Sequence, residues 1–258
     1  EKKMKIVILA GGFGTRISES KNSLPKPMVE IGGKPILWHI MKIYSHYGFS
    51  DFVLALGYKS EVIKNYFLNF NQLNSDFEVD LDKKEIKYLK NNHEKWKIKL
   101  VDTGLNTQTG GRLKKLSKFI NNERFMLTYG DGVSNINLKE LLKFHKKHRK
   151  IGTITTVRPS ARFGELDLKG NIVHQFKEKP QTKKSWINGG FFVFEPEFLR
   201  LIKSKSSVLE KDPLEDLAKR KQLIAFKHEK FWQCMDTKRD RDFLERLWNE
   251  KEPPWKCW

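Results

Sequence analysis

The first patterned stretch is an unbroken apolar run, Ile6-Val7-Ile8-Leu9, which stops at Ala10-Gly11-Gly12. A short run without alternation predicts a strand buried on both faces, as in a parallel sheet. Over 36–47 the apolar positions are Ile36, Leu37, Ile40, Met41, Ile43 and Tyr44, a helical spacing with Pro35 at its start. Residues 52–56 predict the next strand and 60–67 the next helix. This strand-helix alternation implies a parallel sheet with helices on both faces.

The texture changes between about 69 and 101. Phe77, Val79 and Leu81 alternate with acids, and Trp96, Ile98 and Leu100 alternate with lysines. Period-two alternation predicts antiparallel strands of an insertion. Leu113, Leu116, Phe119 and Ile120 then mark a helix, and 125–129 a buried strand running into Gly130-Asp131-Gly132. Farther on, 138–148 reads as an amphipathic helix and 153–157 as a strand. Residues 164–168 and 172–176 pair through Lys169-Gly170-Asn171 as a hairpin. Strands follow at 187–195 and 223–228. Asp212-Pro213-Leu214-Glu215 reads as a helix start capped by Asp212, and 239–249 as a last helix. No repeat or low-complexity linker divides the chain. The expectation is therefore one α/β domain over 1–258, with a Rossmann-like, mostly parallel mixed sheet flanked by helices and antiparallel strands inserted.

Composition narrows the function. The 258 residues are 38% hydrophobic, enough for a real core, and carry a net charge of +19. A strongly basic chain raises one rival reading: a non-catalytic nucleic-acid- or nucleotide-binding protein. The lysines are spread along the whole length, however, and no nucleic-acid motif accompanies them. Steering of polyanionic substrates is the plainer use of the charge. Cys234 and Cys257 are too few for a disulfide framework. His145 and His148 share a helical face with no acid or cysteine nearby in sequence, and read as solvated. No apolar stretch approaches the roughly 18 residues of a membrane span. No membrane partner and a cytoplasmic location are expected.

The chemistry gathers at the strand ends. Leu9-Ala10-Gly11-Gly12-Phe13-Gly14-Thr15-Arg16 turns on glycines and then offers a cation, with Lys26 following between Pro25 and Pro27. Glycines let backbone N–H groups approach an anion, and Arg16 and Lys26 add fixed positive charge, so the segment is suited to a nucleoside triphosphate. Neither the Gly-x-x-x-x-Gly-Lys-Ser/Thr nor the Gly-x-Gly-x-x-Gly pattern is present. Asp131 and Asp236 each follow an apolar strand and are the candidate Mg²⁺ ligands, since Mg²⁺ takes one or two carboxylates plus phosphate oxygens. Lys179 suits a sugar phosphate, with Glu178 beside it for hydroxyls. Asn188-Gly189-Gly190 suits a sugar ring against the backbone, or else a β-bulge.

Longer blocks carry a resemblance. Gly11 to Arg16, Pro25-Lys26-Pro27 through Ile40, Thr109-Gly110-Gly111-Arg112-Leu113, Tyr129-Gly130-Asp131-Gly132, Ile187-Asn188-Gly189-Gly190-Phe191 and Phe231-Trp232-Gln233-Cys234-Met235-Asp236-Thr237 occur in family order over nearly the whole chain. Together they resemble the sugar-nucleotide nucleotidyltransferases, and within them the glucose-1-phosphate cytidylyltransferases. The resemblance implies Mg²⁺-dependent in-line transfer from CTP to glucose 1-phosphate, with uridylyl or thymidylyl transfer to a hexose 1-phosphate as the alternative. It implies that Leu9 to Arg16, Lys26, Thr107, Arg112 and Gly130 hold the nucleotide. Arg16, Lys26, Asp131 and Asp236 would serve catalysis, and Glu178, Lys179, Asn188, Gly189 and Gly190 the sugar phosphate. Arg112 is expected to read cytosine at O2 and N3. A homo-oligomer is implied, with a hexamer as the expectation. Two positions depart from the family pattern: Leu24 stands where a lysine is usual, and Cys234 replaces a proline, which would expose a thiol near the metal loop.

Overall fold

Ile6 and Ile8 face one way and Val7 and Leu9 the other, and all four are buried. A strand can satisfy that pattern only between two helical layers. A computed structural model of the chain, describing residues 4–13, 24–89, 94–159, 165–169, 172–177 and 185–258, shows that arrangement. The central sheet has seven strands: β1 (Lys5–Leu9), β2 (Asp51–Leu56), β3 (Lys97–Asp102), β4 (Phe125–Tyr129), β5 (Gly152–Val157), β6 (Ile187–Phe194) and β7 (Leu223–His228). Their order is β7-β5-β6-β4-β1-β2-β3. All neighbours pair in parallel except β6, which runs antiparallel to both β4 and β5. The mixed, mostly parallel α/β sheet is thus as expected.

Among the described residues seven α-helices accompany it: α1 (Ile36–His46), α2 (Ser60–Leu68), α3 (Phe70–Asn74), α4 (Thr109–Ile120), α5 (Leu138–His148), α6 (Asp212–Lys219) and α7 (Lys238–Asn249). Ile6, Ile8 and Leu54 pack with α1, Leu244 of α7 and Trp255 on one face of the sheet. Val7, Leu9, Val53 and Ala55 pack with Leu113, Leu116 and Ile120 of α4 and Leu217 of α6 on the other. After β3 the chain crosses to β4 on the far side of β1. The strand order therefore reverses at β1 and β4, where open α/β sheets bind ligands beyond the carboxyl ends of their strands.

Several sequence expectations are corrected. The Lys97–Asp102 strand is not part of an antiparallel insertion; it pairs in parallel with β2 at the sheet edge. Its alternation has an edge strand's cause, one face packed and the other lined by Lys97 and Lys99. Antiparallel pairing near it is confined, among the described residues, to the hairpin Phe77–Asp80 with Glu85–Tyr88. Asp212 is the first residue of α6 rather than its cap, and no side chain caps that helix. His145 is fully buried: its ring meets Thr153 Oγ1 at 2.8 Å and Glu195 Oε1 at 3.1 Å, partners distant in sequence. No helix among the described residues is long and apolar enough to cross a membrane.

Candidate active site

The carboxyl ends of β1 and β4 are laced together. Gly130 N–H donates to Leu9 carbonyl at 3.0 Å, and Ala10 N–H to Ala55 carbonyl at 3.0 Å. A Cβ on Gly130 would sit 3.1 Å from Pro27 and 3.2 Å from the Leu9 carbonyl, tighter than an ordinary contact, so the seam is closely packed here. Beside this seam lies a pocket of about 380 Å³, lined by 9–13, Lys26, Pro27, 105–109, Arg112 and 129–131. A second pocket of about 330 Å³ adjoins it, lined by 128–129, 131–132, 187–191, Trp232, Cys234 and Asp236. Tyr129 and Asp131 belong to both walls.

Lys26 stands at that border. Pro25 and Pro27 bracket it, and the short 3₁₀ turn Lys26–Met28 fixes its position. Its ammonium donates to Asp131 Oδ2 at 2.5 Å and to Asp236 Oδ1. Burial works against the charge, but the two carboxylates outweigh it and raise the lysine pKa above its ordinary value.

The two aspartates reach each other by a local device. Beyond Asp131, Gly132–Ser134 pairs antiparallel with Trp232–Cys234, Cys234 opposite Gly132. Met235 N–H then donates to the Asp131 carbonyl at 2.8 Å. The strand before Asp236 is therefore a short ribbon outside the main sheet, built to bring one acid to the other. Asp236 does not cap the following helix. Thr237 does, in a capping box with Asp240. Asp240 Oδ2 accepts from the backbone N–H groups of Asp236 and Thr237 at 3.0 and 2.8 Å, which fixes the loop.

Arg112 lines the first pocket, yet its side chain is buried and its guanidinium is turned to protein acceptors. Nη1 donates to Leu56 carbonyl (3.1 Å), Thr103 Oγ1 (2.7 Å) and Gly104 carbonyl (2.8 Å). Nη2 donates to Gly11 carbonyl (2.9 Å) and Leu105 carbonyl (3.1 Å). Arg112 thus ties the loops after β1, β2 and β3 together instead of offering a free fork. Thr107 donates its hydroxyl to Thr103 carbonyl at 2.6 Å and completes the same wall.

In the second pocket Asn188-Gly189-Gly190 is both a bulge and a wall. The β5–β6 register slips between Ile154 and Thr156, opposite these glycines. Gly190 has φ +77° and packs on the Tyr129 ring, where a Cβ would come within 2.7 Å. Trp232, which sequence reasoning missed, donates its indole N–H to Gly189 carbonyl at 2.7 Å and holds the bulge. Tyr129 was also missed; its place between a buried strand and Gly130-Asp131 was the available signal. The departure at Cys234 does not yield a reactive thiol. Burial and then Asp236, Asp131 and Asp240 push its pKa up to about 12. Gly14, Thr15, Arg16, Glu178 and Lys179 lie outside the described residues.

The donor chemistry fits a hard divalent cation. Two carboxylates converge within reach of one ammonium, open to pockets that would admit phosphate oxygens. Mg²⁺ commonly takes only one or two carboxylates, its other positions being filled by phosphate oxygens and water.

Comparison with known proteins identifies the family. The family model described as nucleotidyl transferase matches residues 5–245. The chain is 48% identical to glucose-1-phosphate cytidylyltransferase of Salmonella typhimurium, over 99% of this chain and 100% of that protein. It is 31% identical to mannose-1-phosphate guanyltransferase of Saccharomyces cerevisiae, over 93% of this chain and 63% of the relative. Among solved structures, HddC from Yersinia pseudotuberculosis superposes with TM-score 0.68 at 23% identity, covering 95% of this chain and 99% of that one.

Proposed function

Because this chain belongs to the nucleotidyl transferase family, we propose that it transfers the cytidylyl group of CTP to glucose 1-phosphate, giving CDP-glucose and pyrophosphate. The observation that carries this reading is the meeting of Lys26, Asp131 and Asp236 on the border of two adjoining pockets. One pocket suits a nucleotide and the other a sugar. A phosphate oxygen entering from the second can face an α-phosphorus held in the first, in line with the departing pyrophosphate. The full-length 48% identity supports cytosine and glucose as the partners.

In this reading the roles rest on the resemblance and on where the described residues lie. Leu9 to Phe13, with Gly14, Thr15 and Arg16 next to them in sequence, serve the triphosphate, the glycines letting backbone N–H groups approach it. Lys26 contacts the phosphates near the reacting centre, and Arg16 neutralises the charge growing in the transition state. Thr107 and Gly130 frame base and ribose. Arg112 fixes the Gly11 carbonyl and with it the turn on the nucleotide side of the site. Glu178, Lys179 and Asn188 hold the sugar phosphate, with Gly189 and Gly190 admitting the ring. Asp131 and Asp236 hold Mg²⁺, which supplies charge neutralisation and alignment of the phosphates when bound. Reaction needs no covalent intermediate, only two polyanions held in register.

In the assembly we read the chain as a homo-oligomer, a hexamer in keeping with the resemblance. Support comes from the exposed apolar residues Phe77, Val79, Leu81 and Ile86 on the projecting hairpin. The cytoplasm, which holds both substrates, is its place of action.

The test is pyrophosphate release with Mg²⁺ and glucose 1-phosphate, with CTP, UTP, dTTP, ATP and GTP in parallel and product mass recorded. Turnover with CTP well above the others is expected. Preference for another base would overturn the cytosine assignment, and no turnover with any would overturn the sugar assignment first.

A further inference from the structure

Gly189 and Gly190 have no register partner on either side of β6. That strand pairs with β5 at Asn188–Thr156 and next at Phe192–Ile154, and with β4 only from Phe191–Thr128 onward. Backbone polar groups in such a gap must find partners outside the ladder. The Gly190 N–H has Asn188 Oδ1 at 2.8 Å, and the Gly189 carbonyl has the Trp232 indole N–H at 2.7 Å. Behind the bulge there is no slack. A Cβ on Gly189 would lie 2.9 Å from Val157 and 3.0 Å from the Thr155 carbonyl.

Trp232 reaches this point from another part of the fold. It opens the ribbon Trp232–Cys234 and stands opposite Ser134. The Ser134 hydroxyl donates to the Phe231 carbonyl at 2.8 Å, which pins the ribbon just before the indole. The same ribbon runs on to Asp236. One hydrogen bond across 43 positions of sequence thus joins the glycine wall of the second pocket to the ribbon that delivers an acid to it. An indole N–H can only donate. Turned another way, the half-buried ring would give up this acceptor and leave the Gly189 carbonyl without its donor. Ring and bulge therefore hold each other in one arrangement.

We propose that Trp232 is a positioning residue for the sugar phosphate: through the Gly189 carbonyl it fixes how far the Asn188–Gly190 wall stands from Asp236 across the second pocket. This rests on the sugar-pocket reading given above. Trp232 and residues 187–191 line the second pocket and not the first, so the effect belongs to the sugar side. Without the bond the wall shifts, and the sugar meets a misfitted pocket while CTP does not.

The experiment compares wild type with Trp232→Phe, which keeps an aromatic ring at the edge of the core and removes the donor. The KM for glucose 1-phosphate should rise about three- to tenfold, the range of one lost hydrogen bond, with the KM for CTP within about twofold of wild type. A residue that served packing alone would move neither KM or both together, and either result would overturn the proposal. A second readout uses the wild-type protein and needs no turnover. The Trp232 indole signal in a ¹⁵N–¹H spectrum, identified by its absence in Trp232→Phe and Trp232→Tyr, should move on adding CDP-glucose and stay in place with CDP, which lacks the sugar. A signal that ignores CDP-glucose, or moves equally with CDP, would overturn the assignment. If the wild-type enzyme turns over another sugar phosphate instead, the functional reading fails, while the same KM comparison run with that sugar phosphate still judges Trp232.

Discussion

Arg112 shows how far a single side chain's role depends on partners outside its own segment. In the sequence only the family resemblance, through Thr109-Gly110-Gly111-Arg112-Leu113, marks it as a nucleotide-site residue. Its acceptors come from 11, 56 and 103–105, which no local pattern joins. Arg112→Ala leaves these buried groups without their donor and is expected to cost about 2–4 kcal/mol of stability, read by urea denaturation. The KM for CTP should rise with it, since Gly11 loses its anchor. A different residue carries a pH signature. His39 is fully buried, its Nε2 2.8 Å from the Ile31 carbonyl and its Nδ1 accepting from the Trp255 indole at 3.3 Å. Burial lowers its pKa from 6.5 to about 4. The unfolded chain therefore binds a proton that the folded chain refuses between those values. Stability is full above pH 6.5 and falls as the pH drops toward 4, by on the order of 3 kcal/mol for this group. Denaturation at pH 7.5, 6 and 5 should show that slope, and His39→Gln should flatten it.

At the level of elements, periodicity was a good guide wherever one face meets the core. The helix over 138–148 and the strand over 125–129 fall on the residues their apolar spacing marks. It failed where topology decides. The edge strand β3 and an antiparallel hairpin strand present the same alternation, and only the partner tells them apart. The candidate metal loop was half legible: Asp236 was found, but its orientation depends on the cap of α7. Asp240 Oδ2 accepts from three donors there, the N–H groups of Asp236 and Thr237 and the Thr237 hydroxyl. Asp240→Ala should free the loop and raise the Mg²⁺ concentration for half-maximal turnover by about tenfold, as loss of a ligand's supporting hydrogen bonds commonly does. An unchanged Mg²⁺ titration would separate α7's cap from the site.

Over the whole molecule, the net charge of +19 surrounds a site that must gather two polyanions. Long-range attraction of that kind is screened over a Debye length of about 8–10 Å at moderate salt. The kcat/KM for CTP should therefore fall several-fold between about 50 and 300 mM NaCl, with kcat much less affected. A flat profile would make the lysines a matter of surface composition alone. The sheet order has a consequence of another kind, in the timing of folding. Strand β1 takes β2 on one edge and β4 on the other, and the loop beyond it closes only when Gly130 reaches the Leu9 carbonyl. During synthesis β2 is available early, while β4 emerges only after β3 and α4. Until then β1 keeps a bare apolar edge, and the triphosphate loop lacks its second side. A nascent chain that has passed β2 but not β4 has no substrate site to stabilise it, so nucleotide can act as a folding ligand only after the two halves of the sheet have met.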